Sequence, residues 1–139
     1  MYLLDTNVVS EIRKTAKCHP CVRDWADGVP AASLFISVAT LLELQKGVLL
    51  VERRDARQGA MLRIWLHDHV VPAFGNRVLP FDASIAMRCA ELHVPDPRPE
   101  RDAMIAATAL EHGLTVVTRN VRDFQGTGVR LINPWEPQP

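Results

Sequence analysis

Four carboxylates stand where charge is normally kept out. Asp5 ends the apolar opening run MYLL, and Glu43 lies inside SVATLLELQKG. Asp102 opens RDAMIAATALEHG, and Asp123 follows the strand-like TVVT in TRNVRDF. Singly, each has a plain reading. Asp102 suits a helix N-cap, Asp123 an ordinary loop, and Glu43 a pair with Lys46. Asp5 and Glu43 resist that treatment, because each interrupts an apolar run and burying an unpaired charge is costly. A divalent cation accounts for all four at once. Carboxylates crowded into an apolar cleft repel and hold protons, whereas Mg²⁺ or Mn²⁺ takes oxygen ligands and reverses that balance. The matching chemistry is metal-assisted hydrolysis of a phosphodiester.

Acids so far apart in the chain meet only if the fold brings strand ends together. Short β-branched runs predict strands over residues 2–5, 34–37, 77–80, 115–118 and 129–132. Helical patterns cover 7–13, 21–27, 38–53, 56–71, 83–93 and 102–112. Asp82 is placed to cap one helix, and His112-Gly113 to stop another. This alternation predicts an α/β protein, a central parallel sheet of about five short strands with helices on both faces. In such sheets ligands gather at the carboxyl ends of the strands, where the strand order reverses.

The totals narrow the class further. A chain of 139 residues is one domain's worth, spanning 1–139, and buries roughly two-thirds of its unfolded surface. Its 47% hydrophobic and 23% charged residues exclude a disordered chain. With formal net charge zero, any basic surface must be local. Three cysteines and no leader-like start predict free thiols in the cytoplasm. The most apolar stretch, about 34–44, is far too short to span a membrane. Prolines collect at 95–99, a stiff connector, and at 134–139, an extended tail.

Together, MYLLDTNVVSEI, ISVATLLELQKGV and RDAMIAATALEHGLTVVTRNVRDFQGTGVRLINPWE resemble a PIN domain, and more narrowly the VapC/FitB-like ribonuclease toxins of type II toxin–antitoxin pairs. The match runs almost end to end in motif order. The resemblance implies a three-layer PIN-like fold and an Mg²⁺- or Mn²⁺-dependent endoribonuclease. By motif, Asp5, Glu43, Asp102 and Asp123 are its catalytic and metal-binding acids, with Asn120 the other candidate for the variable fourth position. Thr6, Asn7 and Thr118 would orient those carboxylates. It also implies a cognate antitoxin and a homodimer. Arg101 departs from the apolar residue usual before the third acid.

Other signals are weaker. Cys18-His19-Pro20-Cys21 lacks the preceding strand of a redox motif and the second pair of a zinc site, so structural thiols are expected. His67 and His69 fall on different helix faces. Arg119 and Arg122 flank the fourth acid and are the phosphate-binding candidates for RNA. Leu62, Ile64, Trp65 and Leu66, with Leu49, Leu50 and Val51, exceed what one core face needs. They suggest a dimer surface or an antitoxin groove. A catalytically inactive PIN-scaffold RNA-binding or assembly module is the alternative, though all four acids are kept. A haloacid-dehalogenase-like phosphatase comes next, but it needs an acid where Asn7 stands; a receiver domain lacks its acidic pair and lysine.

Overall fold

The computed structural model describes residues 1–139. Strands β1 (Tyr2–Leu4), β2 (Leu34–Ser37), β3 (Val78–Leu79), β4 (Thr115–Val117) and β5 (Leu131–Ile132) form one sheet, all parallel, in the order β3-β2-β1-β4-β5. Tyr2 pairs with Leu34 on one side and Thr115 on the other. The chain therefore winds outward from β1 to β3, then crosses back to β4 and β5. The strand order reverses between β1 and β4.

Seven helices cover the sheet: α1 (Thr6–Ile12), α2 (Pro20–Asp27), α3 (Val38–Arg54), α4 (Ala56–Ile64), α5 (Val71–Phe74), α6 (Ala83–Leu92) and α7 (Glu100–His112). Strand alternation splits the core in two. Leu3, Leu79 and Val116 pack against Ile105, Ala106 and Ala109 of α7 and against Phe124. Leu4, Ile36 and Val117 pack on the other side against Val8, Val9, Trp25, Leu44, Val48 and Leu66. Each fully buried aliphatic or aromatic side chain contributes roughly 1.5–3 kcal/mol. Alanines keep α7 thin, so that α6 can stack on it through Ile85 and Cys89 against Ala103 and Ala107. The layered α/β architecture expected from the sequence is the one observed.

Boundaries differ in instructive places. The single helix expected over 56–71 is three pieces: α4, wide π-type turns over Trp65–Val70, then α5. Pro72 lacks an N–H and would collide with the carbonyl four residues back, and the widened turns absorb that conflict. Leu66, counted with the apolar surplus, is wholly buried, whereas Leu49, Leu50 and Ile64 are exposed as expected, along with Leu42 and Met61. Asp55 ends α3 and caps α4, its Oδ1 accepting from the Gln58 N–H at 3.0 Å. Arg63 locks this hairpin with two bonds to Glu52, at 2.8 and 2.6 Å. The outer strands β3 and β5 are only two residues long, shorter than their apolar runs. No helix is long and apolar enough to cross a membrane.

Candidate active site

The site gathers at the carboxyl ends of β1 and β4, at the reversal point. Asp5 follows β1 directly and caps α1: its Oδ1 accepts from the Thr6 N–H at 2.8 Å. Its own N–H donates to the Val117 carbonyl at 2.9 Å, which ties it to β4. The next residue of that strand end, Thr118, donates its hydroxyl to Asp5 Oδ2 at 2.7 Å. Asn7 Nδ2 approaches the same oxygen at 3.4 Å. Asp5 is 7% exposed, yet its carboxylate has three donors, so the buried acid in MYLLDTN is held rather than orphaned.

Glu43 arrives from α3, which begins where β2 ends. Ser37 caps that helix, accepting from the Thr40 N–H at 3.3 Å. Thr6 Oγ1 donates to Glu43 Oε1 at 3.1 Å, linking the second acid to the residue beside the first. Arg101 Nη1 lies 3.1 Å from the other oxygen, Oε2. The pairing of Glu43 is therefore with Arg101, from the first turn of α7, and not with Lys46.

Asp102 is not a cap. Its helix starts two residues earlier, at Glu100, with Pro99 at the cap position and no side chain closing the turn. Asp102 is the third residue of that first turn, where negative charge is favoured by the helix dipole. Asp123 lies in the short 3₁₀ turn Val121–Phe124, exposed, in a cleft it shares with Arg119, Asn120 and Arg122.

The four acids meet through their fields. Burial is the main cause pushing Asp102 up from 3.8 to about 6, and Asp5, Asp123 and Glu43 add repulsion that Arg101 partly offsets. Asp5 is also raised, chiefly by burial and then by Glu43 and Asp123, against the hydrogen bonds from Thr118 and Thr6. No three His, Cys, Asp or Glu side chains are grouped tightly enough to hold an ion as they stand.

Further hydrogen bonds join the neighbouring polar residues to this region. Asn7 Oδ1 accepts from the Arg119 N–H at 3.4 Å, and Thr118 Oγ1 accepts from the Asn120 N–H at 3.0 Å. Asn120 thus reaches the site through its backbone. Asp123, the acidic one of the two candidates for the fourth position, adds its repulsion to Asp5 and Asp102. Two contributors escaped the sequence. Thr40, wholly buried, sets its hydroxyl 3.5 Å from Thr6 Oγ1, whose one proton goes to Glu43, and lies one helical turn before Glu43, a spacing that could have flagged it. Trp135, from the proline-rich tail, lies under Arg119, whose guanidinium carbon is 5.2 Å from the ring centre. Cys18 and Cys21 are free thiols; His19 Nδ1 accepts from the Cys21 N–H at 3.2 Å, and Cys18 is buried.

Comparison with known proteins gives the family. The family model described as PIN domain matches residues 2–128. The chain belongs to the PIN family. This PIN domain is 40% identical to the plasmid stability protein StbB of Pseudomonas syringae pv. tomato, with 98% of the chain and 99% of the relative aligned. It is 36% identical to the VapC ribonuclease Y4jK of Sinorhizobium fredii, over 99% of both. Among solved structures, FitAcB from Neisseria gonorrhoeae superposes with a TM-score of 0.89 at 33% identity, covering 98% of this chain and 99% of that one. The PIN motifs are therefore carried on a whole PIN scaffold.

Proposed function

We propose that this PIN domain is a divalent-metal-dependent endoribonuclease of the toxin type, restrained by a cognate antitoxin. One observation carries the reading: Asp5, Glu43, Asp102 and Asp123, from four separate segments of the chain, lie near enough to one another that burial and mutual repulsion raise the pKa of Asp5 and Asp102. Likeness to a VapC ribonuclease and to a plasmid stability protein supports the same conclusion.

The donor set fits Mg²⁺ or Mn²⁺. Asp5, Glu43, Asp102 and Asp123 offer only hard oxygens, and their excess negative charge is what such an ion relieves. When bound, the ion supplies Lewis acidity at a phosphoryl oxygen and an activated water at neutral pH. The protein's own share is positional. Thr118 and the Thr6 N–H fix the Asp5 carboxylate, Thr6 Oγ1 fixes Glu43, and Asn7 joins Asp5 to the Arg119 backbone. Arg119 and Arg122, both exposed beside Asp123, offset the repulsion that four acids exert on an RNA backbone. Leu42, Leu49 and Leu50 on α3, with Met61 and Ile64 on α4, form the exposed apolar surface we assign to a second copy and the antitoxin.

The test is cleavage of a mixed pool of cellular RNA by the purified chain. Discrete cuts are expected with Mg²⁺ or Mn²⁺ and none with EDTA; equal cutting in both, or no cutting by the folded, metal-supplied chain, would overturn the reading. A finer check uses Thr118→Val. The swap keeps the side chain's shape and deletes the 2.7 Å bond to Asp5. The carboxylate then loses a bond to its charged form and turns more freely, so cleavage should fall about 10–100-fold at fixed Mn²⁺. Part of the loss should return at higher Mn²⁺.

A further inference from the structure

Next to the acids lies a second concavity, of which the proposed mechanism uses Arg119 alone. It is an open cleft of about 620 Å³, lined by Lys14, Lys17, His19, Arg119 and Trp135 with the buried Glu11 at its floor. Arg119 is the wall it shares with the Asp123 cleft. Glu11 neutralises one cation of this lining, Lys14, and leaves the others. One of its oxygens takes Lys14 Nζ at 2.9 Å and the other takes the His19 N–H at 2.9 Å. Lys17 and the Arg119 guanidinium have no carboxylate partner. The guanidinium lies instead over the half-buried ring of Trp135.

We propose that this cleft is a single-stranded RNA subsite, with Trp135 and Arg119 as the stacking platform for an unpaired base and Lys17 as the adjoining phosphate contact. The proposal rests on the nuclease reading and extends it to how the strand approaches the acids. An unpaired base needs a flat face, and both an indole and a guanidinium provide one. The phosphates on either side need cations that are not already neutralised. These two requirements meet here, one residue from Thr118, the residue that holds Asp5. A duplex hides its base faces in its own stack, so the platform selects single strands or loops. An antitoxin segment would have to bring acidic groups to the same cations.

The experiment measures binding of a short labelled single-stranded RNA of mixed sequence to the full chain carrying Asp5→Asn, beside the same RNA as a duplex. Trp135→Leu keeps apolar bulk but removes the flat face; it should weaken single-strand binding about tenfold, in the range of one lost base–aromatic stack. Trp135→Phe should stay close to the parent. Lys17→Gln, an exposed change with no packing role, should make the log–log salt dependence shallower by about 0.7. In the Asp5-intact chain, Trp135→Leu should raise KM with kcat little changed. Unaltered affinity and salt slope in both variants, while the wild-type chain still cuts RNA, would overturn the subsite and leave the nuclease standing. Loss of antitoxin capture with RNA binding intact would equally overturn it, in favour of a protein site. A wild-type chain that neither binds nor cuts RNA would remove the underlying reading as well.

Discussion

Asp5→Asn is expected to lower RNA cleavage by on the order of a thousandfold, about 4 kcal/mol of transition-state stabilisation, without unfolding the chain. The two halves of that expectation have separate causes. Asp5 has a structural duty as the cap of α1, and Asn caps a helix as well as Asp does. The amide oxygen can still accept the Thr6 N–H, and no packing volume changes. Neutralising the site also removes the repulsion that Glu43 and Asp123 exert on Asp5. In metal-free buffer the variant should therefore melt at or above the wild-type temperature. What the amide cannot supply is a full negative charge at the point where β1 and β4 deliver one. A variant that melts normally and cuts at the wild-type rate would show that Asp5 has only the capping role. A variant that loses both fold and activity would show that the bonds from Thr118 and Asn7 need the carboxylate itself.

Half of the candidate centre was legible from the residues alone, because two of its acids break a local rule; Asp102 and Asp123 had plain local readings and entered through the family motifs. Asp5 ends an apolar strand, and Glu43 interrupts an apolar helix. The layered parallel sheet was legible too, since short β-branched runs alternate with helical periodicity. What escaped was set by tertiary contact. Arg101 was visible as an unexpected charge before Asp102, but only the fold puts it 3.1 Å from Glu43, and no helical spacing on α3 could have shown that partner. Asp102 looked like a cap because the apolar pattern starts after it, whereas the helix begins at Glu100 once Pro99 has set the entry. Trp135 gave no periodic signal at all. Its place under Arg119 depends on the tail returning past β4, after Ile132 pairs with Val117. The wide turns before Pro72 were not readable either, because which turn yields is decided by Leu66 and Val70 reaching the core.

Metal binding should weaken steeply on the acid side of neutrality, and the metal-free chain should respond to the same change in the opposite sense. Asp102 holds its proton up to about pH 6, against 3.8 for an ordinary aspartate. A cation that takes its carboxylate must displace that proton below pH 6. The half-saturating Mn²⁺ concentration should then rise about tenfold per pH unit from 6 to 5, and more steeply where Asp5, raised for similar reasons, also protonates. Above pH 7 it should be nearly flat. For stability without metal, a raised carboxylate means that the native chain binds more protons than the unfolded chain between 3.8 and about 6. Its contribution is complete below that window and is lost as pH rises through it. Glu11, Glu52 and Glu111 act the other way, being lowered from 4.5 by their hydrogen-bond partners, so they lose their contribution as pH falls below that value. The acids of the site therefore govern the range above about pH 4.5. In EDTA the melting temperature should be a few degrees higher at pH 5.5 than at pH 7.5, and saturating Mn²⁺ should invert the order. Melting curves at the two pH values, with and without the ion, check both signs in one experiment. A half-saturation point that stays constant from pH 7.5 to 5 would mean that no proton leaves Asp102 when the ion enters, and that the ion is held elsewhere.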